Sequence, residues 1–95
     1  MPDDALSVPE QEHLLKKVPE WELGKKAILR TFEFDSFQDA IDFVNDVAEI
    51  AEELNHHPDI NIRYDRVALT LTTHAAGGVT KADFQLAGKI DNLVD

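Results

Sequence analysis

The sequence predicts an α+β domain: a single four-stranded antiparallel sheet with three helices packed on one face, in the order α-β-β-α-β-β-α. A chain of 95 residues, 43% of them hydrophobic, is long enough for one small core. Residues 37–54 repeat apolar side chains every three or four positions, which is typical of a long helix. Two pairs of short alternating segments flank this helix, and short links make each pair an antiparallel hairpin. We therefore expect one domain over residues 1–95.

The N-terminal segment predicts a short helix after a frayed end. Residues 1–6 resemble a disordered terminus. Ser7 is placed to cap a helix, with Pro9 in its first turn and Glu10 at the capping-box position. Pro19 would end this helix of about 10 residues, which is too short to persist without tertiary packing.

The next two segments predict the first hairpin. Residues 18–23 alternate apolar and polar side chains, which suits an edge strand that tolerates Pro19. A second strand follows over residues 27–34. Arg30 interrupts its apolar face, and we expect this side chain to extend to an edge or to face a ligand, because the sequence offers it no partner. The apolar face itself consists of Ile28, Phe32 and Phe34.

Asp35 or Ser36 is expected to cap the long helix, which must end before Pro58. Phe43 and Ile50 flank its apolar stripe, and they indicate either a wide core face or contact with a second layer or partner. The stripe comprises Phe37, Ala40, Ile41, Val44, Val47, Ala48, Ala51 and Leu54.

The C-terminal part predicts a second hairpin and a last helix. Residues 61–64 and 67–74 alternate as strands around a tight turn at residues 65–66, with His74 on the polar face and the hydroxyl of Tyr64 bound to a neighbour. Thr80 and Asp83 form a capping box that opens the last helix. Its predicted buried side comprises Phe84, Leu86, Ala87, Ile90, Leu93 and Val94.

Charge and composition argue against several functions. A net charge of −10 repels nucleic-acid backbones, so we expect no direct DNA or RNA binding. The sequence has no long apolar run and an acidic N-terminus, which predicts a cytoplasmic protein without membrane association. The absence of cysteine removes disulfides and thiolate nucleophiles.

Three of the four histidines lie close to the end of the long helix or beyond it. Histidine exchanges protons near neutral pH, so the cluster indicates acid/base chemistry, although a histidine pair can also simply cap carbonyls or face solvent. Glu52 and His56 are four residues apart, and a helix extending that far would place the carboxylate beside the imidazole. The spaced residues are Glu52, His56, His57, Pro58, Tyr64, His74 and Asp83.

This pattern resembles that of the pterin-4a-carbinolamine dehydratases, also described as dimerization cofactors of a homeodomain transcription factor. The similarity extends to Trp21 and residues 32–34, and it covers residues 18–94. It implies a hydro-lyase that dehydrates 4a-hydroxytetrahydrobiopterin to quinonoid dihydropterin in tetrahydrobiopterin recycling. It also implies a homodimer or homotetramer that needs neither metal nor cofactor.

The resemblance assigns roles to eight residues. His56, His57 and His74 are the implied acid/base catalysts. Glu52 and Asp83 are the implied supporting carboxylates. Trp21, Pro58 and Thr73 are the implied substrate contacts, although core packing is the alternative for Trp21.

Three other interpretations stay open. His56, His57 and His74 could form a zinc site, but adjacent residues in extended chain point in opposite directions, which disfavours a shared ion. The chain could be a dimerising interaction protein without activity. It could also act on another pterin, as in molybdopterin metabolism.

Overall fold

The helices and strands that the sequence predicts are present in the predicted order. The structure, a computed structural model, describes residues 5–94, and no helix in this range is both long and apolar enough to cross a membrane. The helices are α1 (Val8–Leu15), α2 (Phe37–Leu54) and α3 (Lys81–Val94), the strands are β1 (Glu22–Leu23), β2 (Ile28–Glu33), β3 (Asp59–Arg63) and β4 (Arg66–Leu71), and a 3-10 turn covers His74–Ala76.

The start of α1 confirms the predicted capping box. The Ser7 hydroxyl accepts a hydrogen bond from the Glu10 N–H, and the Glu10 carboxylate accepts one from the Ser7 N–H. This backbone donor lowers the pKa of the Glu10 carboxyl below its ordinary value. The helix ends at Leu15 rather than at Pro19, because the chain then turns so that Val18 enters the core.

The prediction of a frayed end over residues 1–6 can be compared with the structure only from residue 5 onwards. Residues 1–4 lie outside the described part of the chain. The Leu6 N–H donates to the carbonyl of Val79 at 2.7 Å, and the Leu6 side chain packs against the core. The expectation of disorder is therefore wrong at Leu6, where a backbone bond ties the chain to the segment before α3.

The strands form one antiparallel sheet in the order β1-β2-β4-β3. β2 and β4 pair along their whole length, from Ile28 opposite Leu71 to Glu33 opposite Arg66. Buried and exposed residues alternate along both strands, so one face of the sheet meets the helices and the other stays open. β3 is an outer strand, and all five of its residues are exposed.

The first strand is much shorter than predicted. Only Glu22–Leu23 pairs with β2, whereas the alternation covers residues 18–23. Val18 and Trp21 are 3% and 2% exposed, and the Trp21 N–H donates to the Val18 carbonyl in a turn. Side chains three residues apart point to opposite faces of a strand but to the same side of a turn. Val18 and Trp21 can therefore both be buried only if the chain turns between them, and the predicted strand does not form over these residues.

The buried face of α2 is centred on Phe43. Ser36 is the cap, accepting from the Asp39 N–H. The Phe43 ring lies 4.7 Å from that of Phe32 and 4.9 Å from that of Phe34, so the wide core face is confirmed. Phe37, expected in the stripe, is instead 50% exposed at the first residue of the helix. Ala48, also expected there, is exposed, and the buried residues are Ala40, Phe43, Val47 and Ala51.

The second hairpin turns one residue earlier than predicted. Arg63 pairs with Arg66, so Tyr64 and Asp65 form the turn. Tyr64 takes a left-handed backbone with φ 52° and is 70% exposed. Within residues 5–94 its hydroxyl makes no side-chain hydrogen bond, and the predicted tie to a neighbour is therefore wrong. A side chain at a hairpin tip points away from the sheet.

The last turn of α3 buries a carboxylate instead of the predicted apolar residues. Leu93 and Val94 are 39% and 40% exposed, whereas Asp91 is 8% exposed. The Asp91 carboxylate accepts from Arg30 at 2.6 Å and from the Trp21 indole N–H at 2.8 Å. Arg30 therefore has a partner that the sequence did not indicate. The Asp91 side chain takes the position that faces the sheet, and the side chains of Leu93 and Val94 are therefore exposed to solvent.

We expect Asp91→Ala to lower the free energy of unfolding by about 3 kcal/mol or more, because a largely buried arginine and an indole N–H lose their acceptor. The control is Glu33→Ala, which removes the partner of Arg66 from an ion pair that is more than 60% exposed on both sides. We expect this control to lose less than about 1 kcal/mol. Urea unfolding measures both, and equal losses would contradict the assignment.

Candidate active site

A left-handed residue at the end of α2 positions the histidine pair. Asn55 caps the helix with φ 50°, a conformation that asparagine adopts at lower cost than most residues. The N–H of His56 still donates to the Ala51 carbonyl at 3.0 Å, so the chain leaves the helix in a tight turn. Pro58 follows at once and is half-buried. The two imidazoles therefore start from a backbone that is fixed on both sides.

His56 is bound to a fully buried carboxylate. Its Nε2 lies 2.5 Å from Oδ1 of Asp83, which is 0% exposed, and the His56 side chain is 16% exposed. The second oxygen, Oδ2, accepts from the Thr73 hydroxyl at 2.8 Å and from the Thr80 N–H at 2.9 Å. Asp83 lies in the first turn of α3, where the helix dipole also favours a negative charge. Three donors and the dipole together stabilise this buried anion.

His57 also pairs with a carboxylate, but this pair is exposed to solvent. Its Nε2 lies 2.5 Å from Oε2 of Glu52, and the two side chains are 57% and 75% exposed. The pairing of Glu52 with His56, which was expected if the helix extended to His56, is therefore not formed. The helix ends at Leu54, before the four-residue spacing is completed, and the left-handed residue turns the next histidine towards α3 instead.

The two histidine–carboxylate pairs determine which nitrogen of each imidazole ring is not bound to a carboxylate. Ionised carboxylates only accept hydrogen bonds, so Nε2 of His56 and of His57 carries the proton in each pair. Within residues 5–94, Nδ1 of neither ring takes part in a side-chain hydrogen bond. Each ring therefore presents one nitrogen that can take or give a proton while a carboxylate holds the other.

His74 lies next to this network but outside the strand. β4 ends at Leu71, and His74 opens the 3-10 turn with an exposed side chain, so its predicted position on a strand face is wrong. The Thr73 N–H donates to the Gly78 carbonyl at 2.9 Å, which closes this loop on itself. Because the Thr73 hydroxyl binds Asp83, His74 follows directly after a residue of the buried network.

The predicted capping box at the start of α3 is only half formed. The Asp83 carboxylate accepts from the Thr80 N–H, but the Thr80 hydroxyl lies 2.9 Å from the Thr73 hydroxyl instead of capping the Asp83 N–H. Asp83 therefore has a structural role and a contact with His56 at once. Sequence reasoning missed Thr80 as a member of the network, because a threonine before a helix is sufficiently explained as a cap.

Comparison with known protein families matches residues 4–93 to the Pterin 4 alpha carbinolamine dehydratase family. The chain belongs to this family. It is 55% identical over 80 residues to the "Putative pterin-4-alpha-carbinolamine dehydratase" of Thermomicrobium roseum, covering 84% of this chain and 86% of the relative. A protein of the same name from Chloroflexus aurantiacus is 51% identical over 89 residues, covering 94% and 96%.

Two solved structures resemble this fold. A transcriptional coactivator/pterin dehydratase from Brucella Melitensis superposes with a TM-score of 0.92 at 35% identity, covering 97% of this chain and 100% of that one. A pterin dehydratase-like protein described as a RuBisCO assembly factor in the alpha-carboxysome gives a TM-score of 0.66 at 27% identity, covering 78% and 88%. Both structural neighbours are therefore described at least partly in terms other than catalysis.

Trp21, an implied substrate contact in this family, lies apart from the histidines. It is 2% exposed and bound to Asp91, eight residues beyond Asp83 on α3, which is about 12 Å along the helix axis. The structure therefore shows core packing, the alternative weighed for this residue. A role of Trp21 as a pocket wall stays a prediction, as do the substrate contacts of Pro58 and Thr73.

The histidines do not converge as metal ligands. Among residues 5–94, no three side chains of histidine, aspartate or glutamate form a group that could hold a metal ion. His56 and His57 bind different carboxylates, on α3 and α2 respectively. The arrangement suits proton transfer by separate imidazoles rather than a shared ion.

The two histidine–carboxylate pairs have equal length but unequal burial, which allows a matched test. We expect Asp83→Ala to lower the free energy of unfolding by about 1–3 kcal/mol, because the buried Thr80 N–H loses its acceptor. Glu52→Ala, the control, should change it by less than about 1 kcal/mol, because both partners are solvated. Chemical denaturation measures the two variants, and an Asp83→Ala protein as stable as the parent would contradict the buried network.

Proposed function

We propose that the chain is a 4a-hydroxytetrahydrobiopterin dehydratase that forms quinonoid dihydropterin in tetrahydrobiopterin recycling. One observation carries the proposal: two adjacent imidazoles are each held through Nε2 by a carboxylate, in a chain of the pterin dehydratase family. A cytoplasmic location and the absence of direct DNA binding remain predictions from charge and composition.

The reaction requires one proton to be delivered and one to be removed. The bond between C4a and its hydroxyl oxygen breaks as an acid protonates the oxygen, which leaves as water. A base removes the proton on N5, and the C4a–N5 double bond forms. No electron is gained or lost, so imidazoles that donate and accept protons near neutral pH supply all the chemistry needed.

The three histidines differ in setting, and this suggests a division of roles. Asp83 fixes the ring of the largely buried His56, so that Nδ1 is oriented for proton transfer. His57 and His74 are exposed and can exchange protons with water between turnovers. Glu52 orients His57, and Pro58 and Thr73 are the proposed substrate contacts.

We expect His57→Ala and His74→Ala each to slow the dehydration of enzymatically generated 4a-carbinolamine by about 10²–10⁴-fold, the usual contribution of one general acid or base. His13→Ala is the matched control, since His13 is the remaining histidine and lies exposed on α1. It should leave the rate unchanged. Stopped-flow absorbance follows the reaction, and unchanged rates in the first two variants would contradict acid/base catalysis.

The same dehydration assay distinguishes acid/base catalysis by the histidines from catalysis by a zinc site. Proton transfer by the histidines predicts full activity after treatment with a chelator and removal of trace metals. A zinc centre predicts loss of activity and recovery when zinc is added back. Metal-dependent recovery would therefore replace the acid/base proposal.

A second candidate function is that of a binding protein without activity. It is favoured by the likeness to the pterin dehydratase-like protein described as a RuBisCO assembly factor. Such a role requires no proton transfer, and the histidine variants would then leave function intact. A purified protein that does not accelerate dehydration above the uncatalysed rate would favour this candidate.

We propose further that the protein forms homodimers through β3, with tetramers as the higher assembly. β3 is an edge whose five residues are all exposed, whereas β1 at the other edge has only two residues. Ile60 and Ile62 lie opposite the buried Leu69 and Val67, so they belong to the core face of the sheet but remain 38% exposed. Pairing with a second β3 would cover both and satisfy the free edge.

The double variant Ile60→Lys/Ile62→Lys should shift the protein to monomers, because a pair of edges carrying opposed lysines repels. Leu29→Lys is the control, since Leu29 is 37% exposed but lies on the open face of β2. We expect it to leave the assembly unchanged. Sedimentation velocity at micromolar concentration tests this, and a parent protein that is monomeric would overturn the proposal.

A further inference from the structure

A pocket opens between the β1–β2 turn and the loop after β4. Residues 25–27 line one side, and Thr72, His74 and residues 77–78 line the other, around a volume of about 270 Å³. The pocket therefore adjoins one of the proposed catalytic histidines without including the buried network itself.

The charge of this pocket is opposite to that of the protein. The chain has 19 acidic and 9 basic residues, yet the pocket residues include Lys25, Lys26 and His74 and no carboxylate. A net charge of −10 repels anions, so an anionic ligand needs a local concentration of positive charge. This pocket provides one.

The lysine pair is held in place by an unusual backbone. Lys26 has φ 63°, a left-handed conformation that glycine or asparagine would adopt at lower cost. The Thr72 hydroxyl donates to the Lys26 carbonyl at 2.6 Å, and the Gly24 N–H donates to the Ala27 carbonyl at 2.8 Å. These bonds fix the turn against the end of β4. Lysine thus occupies a position where its backbone is unfavourable, which indicates a use for the side chain.

We propose that the dehydratase also takes 4a-hydroxytetrahydropterins that carry a phosphate monoester on the C6 side chain, with the phosphate bound by Lys25 and Lys26 in this pocket. This inference rests on the proposed function, in which His74 transfers a proton at the reacting C4a–N5 unit. Only the ring nitrogen N5 separates C4a from C6, so a side chain on C6 starts close to the reacting carbon. Lysine ammonium groups are common phosphate ligands, and two of them match the charge of a monoester.

The test compares neopterin monophosphate with neopterin, which differ only in the phosphate, by fluorescence titration. We expect the phosphorylated pterin to bind about tenfold more tightly or better, with an advantage that falls as salt rises. In Lys25→Gln/Lys26→Gln this advantage should disappear, and Lys25→Arg/Lys26→Arg should retain it. The matched control is Lys16→Gln/Lys17→Gln, which removes the other adjacent lysine pair and the same net charge.

Each outcome of this titration either supports or overturns the proposed phosphate site. Equal affinity for the two pterins, no binding of either, or an equal loss in the Lys16→Gln/Lys17→Gln control would overturn the inference. If the protein dehydrates the unphosphorylated carbinolamine but does not prefer phosphorylated pterins, the proposed function is supported and the phosphate site is rejected. A lysine-dependent phosphate preference without any dehydration would support the anionic ligand and reject the proposed activity.

Discussion

The candidate active site depends on one buried carboxylate. Asp83 has no exposed surface, and its donors come from the segment after α2, the loop after β4 and the residue before α3. A buried anion is costly unless donors surround it, so these segments must converge for it to be tolerated. The position of His56 therefore depends on the whole fold as well as on the local sequence that ends α2.

The helix α3 carries a second buried carboxylate at its other end, and the two differ in their relation to the helix dipole. Asp83 in the first turn is favoured by the dipole, whereas Asp91 in the last turn is disfavoured. Asp91 consequently requires the full charge of Arg30 and the indole N–H of Trp21. This explains why the only tryptophan and an arginine of the apolar strand face are committed to stability at a distance from the histidines.

Sequence reasoning succeeded where the deciding contacts are local. The caps at Ser7 and Ser36 were predictable, because each side chain binds an N–H three residues away. It failed where contacts span the chain: the Arg30–Asp91 pair joins residues 61 apart and the His56–Asp83 pair joins residues 27 apart. No period or motif encodes such partners, since they are selected by which faces the packed elements bring together.

Glu52 was considered as the partner of His56 but binds His57 instead. A small local difference at the end of α2 decides between these two pairings. A family pattern records which residue types occupy which positions, and it brought Glu52, His56 and Asp83 into consideration. Which carboxylate each histidine meets depends on where the helix ends. Asn55 ends it, because asparagine accepts the left-handed conformation that most residues resist. One residue without ionisable chemistry thus directs His56 into the protein and leaves His57 with the solvated carboxylate.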